Sequence, residues 1–248
     1  MLTRDELNRL GPPGFHLAQK EKDYVQYLIL SYLSQSGFEG IFKGGTALQK
    51  AFGLPRYSED LDFTLNNVAE PNIDSLVSFL GSYGFGNVSW ERSKGNVSSN
   101  VRLKYYGPLY NKTEISAGYI TFDFNNRELI RLDPEIVVII PPYFDILPYN
   151  LRVMNRVEIV AEKISAIFTR SSARDLFDLY FLLHQGIKVD YNLVNKKLEF
   201  YKIKFSVGAF LKRITNLEKI WKSEISALTN NYLEFDFVFT FVEKNMKK

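Results

Sequence analysis

The segment Arg-Tyr-Ser-Glu-Asp-Leu-Asp-Phe-Thr-Leu, residues 56–65, decides how the front of this 248-residue chain is interpreted. From residue 60 to residue 65 polar and apolar residues alternate, which is the pattern of a β-strand with one face on a core. Residues two apart on a strand point the same way, about 7 Å apart, so Asp60 and Asp62 can direct both carboxylates toward one point. Two like charges repel each other unless a cation lies between them. The pattern therefore predicts a divalent-metal site, and a polar edge strand is the alternative interpretation.

A third carboxylate lies in another alternating segment. Residues 120–125 read Ile-Thr-Phe-Asp-Phe-Asn, which places Asp123 on the polar side of a predicted strand. If that strand is a neighbour of the strand at residues 60–65, Asp123 completes a set of three oxygen ligands with Asp60 and Asp62. Such a set favours Mg²⁺ or Mn²⁺, and two such ions could bridge the carboxylates and a nucleoside triphosphate.

A Gly-Gly-Thr segment at residues 44–46 ends fourteen residues before Asp60. Gly44, Gly45 and Thr46 follow a short apolar run and lead into a predicted helix that ends at Phe52. Glycines let the backbone approach a ligand closely, and the start of a helix offers unpaired N–H groups that bind anions such as phosphate. The alternative is a structural turn in which Thr46 caps the helix with Gln49 as its capping-box partner.

Composition excludes several kinds of site. The chain has no Cys, and its histidines are His16 and His184 alone. Disulfides, thiolate zinc sites, Cys nucleophiles and multi-histidine metal sites are therefore excluded. No 18-residue apolar run exists, and the first residues lack an apolar signal core. We therefore expect a soluble, cytoplasmic protein with no membrane partner.

The charge is unevenly distributed along the chain. Residues 188–248 hold 12 Lys or Arg against 7 Asp or Glu, a net charge of +5, and since the whole chain carries +3, residues 1–187 carry −2. Cations interleaved with aromatic residues in this tail indicate a nucleic-acid surface. The alternative is a solvated, Lys-rich helical surface whose aromatic residues form a core.

Hydrophobic periodicity divides the chain into a mixed front and a helical back. Helices are predicted at residues 20–35, 46–52 and 73–83, and strands at residues 88–90, 101–106 and 119–124, within a β-rich stretch that ends at the prolines of residues 141–148. From residue 156 the pattern is helical, with helices at residues 157–169 and 173–184 and two or three more. The best division is an α+β domain at residues 1–150 and a helical domain at residues 151–248.

Two blocks of sequence together resemble the AbiEii/AbiGii (MenT-like) family of nucleotidyltransferase toxins. The first block is Lys43-Gly44-Gly45-Thr46-Ala47-Leu48 followed by residues 56–63, and the second is Ala161-Glu162-Lys163-Ile164, then Arg170, then residues 174–179. The resemblance spans roughly residues 40–184. It implies a polymerase-β-like nucleotidyltransferase fold, in which a mixed β-sheet with flanking helices carries the acidic residues and a C-terminal helical bundle covers the nucleotide.

Site residues follow from the resemblance by position. It implies that Gly44, Gly45 and Thr46 contact the triphosphate, and that Asp60 and Asp62 bind Mg²⁺, with Asp123 as their less closely matched third member. It also implies that Lys163 and Asp175 serve the nucleotide or the acceptor, while Asp178 competes with Asp175 for the acidic role. Arg170 is seven residues after Lys163 and thus on the same helix face.

Several of these residues have ordinary structural alternatives. Lys163 could be an exposed helix lysine, and the spacing of Ser172 and Asp175 could merely cap the next helix. Arg174 could form an i,i+4 pair with Asp178.

The loop before the aspartates supplies two further candidates, Arg56 and Ser58. Both lie near the place where phosphates are expected, and an Arg there could clamp a phosphate bidentately. Arg56 could equally pair with Glu59 or with solvent.

The function that the resemblance implies, together with the carboxylates and glycines above, is that of a Mg²⁺-dependent nucleotidyltransferase. It would move an NMP from an NTP to an acceptor hydroxyl, with an RNA or tRNA 3′ end as the first choice of acceptor and a protein Ser or Tyr as the second. It would act as the toxin of a type IV toxin–antitoxin pair, with a cognate antitoxin as partner. The alternative is a catalytically silent module that binds a nucleotide or a partner.

Overall fold

The strand predicted from the aspartate segment forms the middle of a seven-stranded mixed sheet. A computed structural model of the chain describes residues 1–95, 98–126 and 129–247. These residues divide into two compact units. Unit 1 comprises residues 1–52, 57–130 and 134–153, and unit 2 comprises residues 53–56, 131–133 and 154–248, less the residues outside the described ranges.

Unit 1 is a mixed β-sheet with flanking helices. Its elements in chain order are α1 (Arg4–Leu10), α2 (Leu17–Gln35), β1 (Ile41–Lys43), α3 (Gly44–Phe52), β2 (Leu61–Thr64), α4 (Ile73–Ser82), β3 (Gly86–Lys94), β4 (Ser98–Tyr106), a 3₁₀ turn (Glu114–Ser116), β5 (Gly118–Asn125), β6 (Glu135–Ile139) and β7 (Tyr149–Val153). The strand order is β3-β4-β5-β2-β1-β7-β6. β2 is parallel to β5 and antiparallel to β1, and β1 is parallel to β7.

The position of β2 settles the alternative of an edge strand. β2 lies between β5 and β1, so the interpretation of the aspartate segment as a polar edge strand is wrong. Its apolar residues, Leu61 and Phe63, are buried in the core, where the Phe63 ring stacks on Phe124 of β5. The strand begins at Leu61, so Asp60 immediately precedes it.

Other element boundaries differ modestly from the sequence predictions. α3 begins at Gly44 rather than Thr46, and α2 begins three residues earlier than predicted, at Leu17. The prolines of residues 141–148 do not end the sheet, because β7 follows them and pairs with both β1 and β6. The predicted fold class, α+β with a mixed sheet and flanking helices, is confirmed.

The regular elements of unit 2 are all helical in the described part of the chain. They are α5 (Arg156–Thr169), α6 (Ala173–His184), α7 (Tyr191–Glu199), α8 (Val207–Thr215), α9 (Glu218–Ser226) and α10 (Phe235–Met246). Trp221 and Phe210 are fully buried, as the core interpretation of the tail aromatics predicts, whereas Phe200 is 60% exposed. Within the ranges that the structure describes, none of the helices combines the length and the apolar character needed to cross a bilayer.

Candidate active site

Gly44 lies at the junction of β1 and α3, where the backbone turns with a positive φ of 78°. A side chain at this position would be strained, because L-residues rarely adopt that region. A Cβ on Gly44 would also overlap Oδ2 of Asp62. Glycine is therefore required here for two reasons. One is the backbone conformation, and the other is that the Asp62 carboxylate lies directly against the Cα of Gly44.

Asp62 and Asp123 are side by side in neighbouring strands. β2 and β5 are parallel, with Asp62 and Asp123 as partners in the register, and Lys43 of β1 is the partner of Asp62 on its other side. Neighbouring strands lie about 4.8 Å apart, and residues in one such row share a face of the sheet. Both carboxylates are half-buried. β2 and β5 are thus neighbours, as predicted. Their register brings two carboxylates and an amine into one row.

The Asp60 side chain is exposed, and its contact with α3 is made by its backbone. Its carbonyl oxygen accepts a 2.5 Å hydrogen bond from the hydroxyl of Thr46, which is fully buried. The Thr46 hydroxyl is also 2.9 Å from Oγ of Ser58. These two predicted phosphate contacts therefore tie the loop before β2 to α3.

The helix-capping alternative for Thr46 is wrong. Thr46 is the third residue of α3, and the side chain of Gln49 donates to Asp23 rather than back to the start of the helix.

Gln26 of α2 is a residue that the sequence analysis missed. Its side-chain amide donates to the carbonyl oxygens of Ser58, at 3.1 Å, and of Glu59, at 2.7 Å. Gln26 is fully buried, so it fixes the backbone of the loop from inside the fold. One of three glutamines in a long helix carries no sequence signal for this function.

The donor chemistry of the carboxylate pair fits a hard divalent cation. Mg²⁺ prefers oxygen ligands, and in enzymes it commonly binds one or two carboxylates together with water and substrate phosphates. Across residues 1–95, 98–126 and 129–247, no group of three or more Asp, Glu, His or Cys side chains is arranged as a metal site. The fit therefore rests on Asp62 and Asp123, and the three-carboxylate set that includes Asp60 stays a prediction.

A second cluster of charged residues lies in unit 2 and is called the ion-pair cluster here. Lys163 of α5 is only 6% exposed, and its ammonium lies 2.6 Å from Asp178 and 3.1 Å from Asp175, both on α6. Arg56 makes two hydrogen bonds to Asp178, at 2.6 and 2.7 Å. Arg170 makes two to Asp175, at 2.7 and 2.8 Å. Three cations thus alternate with two carboxylates.

The pKa values in this cluster are shifted toward the charged forms. Burial raises the pKa of Asp175, but Lys163 and Arg170 outweigh burial and lower it from 3.8 to about 2. Burial opposes the charge of Asp178 as well, and Arg56 and Lys163 nevertheless lower its pKa. Burial lowers the pKa of Lys163, but the two carboxylates outweigh it and raise the pKa above its ordinary value. All three groups are therefore ionised at neutral pH.

The ordinary alternatives for these residues are wrong. Lys163 is not an exposed helix lysine. The Asp175 side chain binds Lys163 and Arg170 rather than capping α6, whose N-cap Ser172 makes no side-chain capping bond. Asp178 pairs with Lys163 rather than Arg174.

Arg56 is not paired with Glu59. Its guanidinium is bound to Asp178, and Glu59 forms an ion pair with Lys22 instead, at 2.9 Å. Asp175 and Asp178 do not exclude each other either, because both contact Lys163.

The tail lysines also differ in their surroundings. Lys197 is 8% exposed and forms ion pairs with Glu158, at 2.7 Å, and Glu162, at 3.1 Å. Its neighbour Lys196 is exposed. Part of the positive charge of the tail is therefore matched within unit 2.

A family model described as "Nucleotidyl transferase AbiEii toxin, Type IV TA system" matches residues 29–239. No curated protein sequence matches the chain.

Two solved structures share the fold. MenT4, a nucleotidyltransferase toxin from Mycobacterium tuberculosis H37Rv, is 22% identical with a TM-score of 0.62, over 99% of this chain and 88% of that one. JHP933 from Helicobacter pylori is 18% identical with a TM-score of 0.56, over 100% of this chain and 92% of that one.

Proposed function

Since the chain belongs to the AbiEii family of nucleotidyltransferase toxins of type IV toxin–antitoxin systems, we propose that it transfers an NMP from an NTP to the 3′ hydroxyl of an RNA. We take tRNA as the first candidate acceptor and Mg²⁺, or Mn²⁺ in its place, as the cofactor. The observation that carries the proposal is the register of Asp62 beside Asp123, with the Asp62 carboxylate against Gly44. Carboxylates with this placement would hold a cation where a triphosphate meets the start of α3.

The residues of unit 1 would divide the reaction between them. Asp62 and Asp123 would hold the divalent ion with Asp60 as a third ligand, and the ion, when bound, would neutralise the charge of the triphosphate. The backbone N–H groups at Gly44 and Gly45 would bind phosphate oxygens at the start of α3. The acceptor oxygen forms a bond to the α-phosphorus as the bond to pyrophosphate breaks, and the hydroxyl proton passes to a carboxylate of the row.

The family implies that Lys163 and Asp175 of the ion-pair cluster would serve the nucleotide or the acceptor. The carboxylates of Asp175 and Asp178 raise the pKa of Lys163 against the effect of burial, so its ammonium keeps its charge at neutral pH. The Arg170 side chain is 62% exposed and so can reach a ligand. Arg56, whose guanidinium is bound to Asp178, would act by positioning that carboxylate.

The test is a transfer assay with labelled NTPs, Mg²⁺ and total tRNA. We expect the wild-type protein to label tRNA and Asp62→Asn to lose about a hundredfold or more of this activity, which is the usual effect of removing one charge-stabilising group. Asp236→Asn is the matched control, because Asp236 is an exposed aspartate at the start of α10. It should label tRNA as the wild type does.

Each other outcome selects an alternative. Label in a protein fraction instead of RNA would favour a Ser or Tyr acceptor. NTP binding without divalent-ion binding or transfer would favour a silent binding module. Equal labelling by the wild type and Asp62→Asn would contradict the proposed site.

The proposed partners follow from the family. A type IV toxin is expected to have a cognate antitoxin, and coexpression of the adjacent gene should relieve growth inhibition. A cytoplasmic location would supply both NTP and tRNA.

A further inference from the structure

The sheet face that carries the two aspartates continues across β5, β4 and β3. Cross-strand partners share a face, and the register gives three parallel rows. The first row contains Lys43, Asp62, Asp123, Asn100 and Ser93. The next two rows, away from the aspartates, contain Thr121, Arg102 and Glu91, then Tyr119, Lys104 and Ser89. The residues of these last two rows are called the open face below.

The open face differs from the opposite side of the same strands. Residues that alternate with it, among them Val101, Leu103 and Phe122, are fully buried in the core. On the open face, Ser89 and Glu91 are exposed, and the side chain of Arg102 is 54% exposed. The open face is therefore available to a ligand.

A cation and an aromatic ring are stacked on this face. The guanidinium of Arg102 lies 4.2 Å from the centre of the Tyr119 ring. Lys104 is the cross-strand partner of Tyr119, and its ammonium lies 5.2 Å from the ring of Tyr106. A hollow of about 280 Å³ opens here, and its lining includes Arg102, Lys104 and Tyr119.

This chemistry suits single-stranded nucleic acid. Aromatic rings and guanidinium planes are the usual platforms on which unpaired bases stack, and neighbouring cations bind the phosphates. A duplex would hide the base faces from these groups. Tyr119 is four residues from Asp123 on β5, a distance of about 13 Å along the strand, which is the length of about four stacked nucleotides.

The carboxylates near the two cations do not prevent such binding. Glu91 lies 3.8 Å from Arg102, and Glu114 pairs with Lys104. The carboxylates of both pairs are exposed, at 76% for Glu91 and 69% for Glu114, and ion pairs at the surface are weak because water and salt screen them. A polyanion that brings several phosphates can displace the carboxylates.

We propose that the open face binds the last few nucleotides of a single-stranded RNA acceptor, with a base stacked on the Arg102–Tyr119 pair and the 3′ end directed toward Asp62 and Asp123. The inference rests on the proposed function for the reaction at those aspartates. Binding to the open face itself requires neither NTP nor a divalent ion, so it is measured separately.

The test is the affinity for a fluorescein-labelled RNA octanucleotide, measured by anisotropy without NTP or divalent ion. We expect Arg102→Ala and Tyr119→Ala each to weaken binding at least about fivefold, as removal of a base-stacking side chain does. Tyr119→Phe keeps the ring and should bind like the wild type. A hairpin duplex without a single-stranded end should bind weakly to all of them.

Arg152→Ala is the matched control. Arg152 is also a strand arginine, on β7, with a 45% exposed side chain that lies 4.0 Å from Glu39. Because this variant loses the same charge at a different place in the sheet, it should bind the octanucleotide like the wild type. Thermal unfolding of every variant shows whether its fold is retained.

The outcomes separate this inference from the proposed function. Unchanged binding by folded Arg102→Ala, an equal loss in Arg152→Ala, or a preference for the duplex would overturn the open face as the binding site. Asp62→Asn should keep its RNA affinity while it loses transfer. If Arg102→Ala loses RNA binding but the wild type transfers no nucleotide to RNA, the binding face stands and the proposed reaction fails.

Discussion

Gly44 shows how one residue can link backbone conformation to site chemistry. Gly44 and Gly53 have nearly the same positive φ, 78° and 76°. Their surroundings differ, because a Cβ at Gly44 would overlap the Asp62 carboxylate, whereas a Cβ at Gly53 would meet no described atom within 4 Å. A comparison of alanine substitutions at the two positions therefore separates the effect of backbone strain from the effect of displacing the Asp62 carboxylate.

We expect Gly44→Ala to abolish nucleotide transfer and Gly53→Ala to retain it. Backbone strain alone should lower the free energy of unfolding of each variant by about 1–2 kcal/mol, because L-residues are strained at positive φ. Only Gly44→Ala should also move Asp62. Transfer assays and urea unfolding of both variants check this, and an active Gly44→Ala protein would contradict the account of the site.

At the scale of the residue, the identity of Arg56 does not reveal which carboxylate it binds. The sequence placed it correctly on the loop before β2, but its partner, Asp178, is 122 positions away. No local pattern connects two residues at that separation. The sequence therefore indicates the ion-pairing residues but none of the pairs that they form.

At the scale of elements, the ion-pair cluster joins a lysine of α5 to two aspartates of α6. Asp175 and Asp178 are three residues apart on α6, so they share a face. Lys163 of α5 lies against that face and contacts both. Removing one partner of a buried pair is costly, since the charge that remains is buried without compensation.

This cluster predicts a loss of stability in acid. The pKa of Asp175 is about 2 in the folded protein and 3.8 ordinarily. A lowered pKa contributes stability that is complete above the unfolded value and is lost as the pH falls through the folded value. We therefore expect a loss of about 2 kcal/mol between pH 4 and pH 2 from this group.

Urea unfolding as a function of pH provides the measurement. Asp175→Asn should be less stable at pH 7, and its stability should depend less steeply on pH between 4 and 2. Asp236→Asn, at an exposed aspartate, should follow the wild-type slope. Parallel curves for the wild type and Asp175→Asn would exclude this source of acid sensitivity.

Elements with a strong period were predicted best. The pattern predicted α6 at Ala173–His184, which is where the structure has it. The pattern missed α1 and β7, which have 7 and 5 residues. Short segments contain too few repeats to establish a period, and they are stabilised by a capping box in α1 and by pairing with β1 and β6 in β7.

At the scale of the molecule, the chain passes between its two units more than once. Residues 53–56 and 131–133 belong to unit 2, although the described residues on either side of each segment belong to unit 1. Within unit 2, Thr229 donates to the carbonyl of Pro55, and Glu158 accepts hydrogen bonds from the N–H groups of Arg131 and Leu132. A division into domains at residues 1–150 and 151–248 stays a prediction, and its boundary falls within β7.

We expect residues 53–56 to exchange their amide hydrogens together with unit 2. Asp178→Asn removes the charge that binds Arg56, so it should speed exchange at Leu54 and Arg56 along with α6 and leave β2 unchanged. Glu243→Gln, which breaks an exposed pair with Lys247, is the control and should alter neither segment. Hydrogen-exchange mass spectrometry measures this, and unchanged exchange at residues 53–56 in Asp178→Asn would contradict the assignment.

The sequence by itself determined which chemical groups this protein carries and how they are spaced along the chain, because residue types, their alternation and their spacing are local properties. It predicted the glycine bend, the aspartates of β2 and β5, the charged residues of α5 and α6, and the family. Only the tertiary structure decided which strands are neighbours, that Gln26 fixes the loop before β2, and that Asp178 binds Arg56. Such pairings depend on packing between distant segments, and burial then decides which charges must be matched.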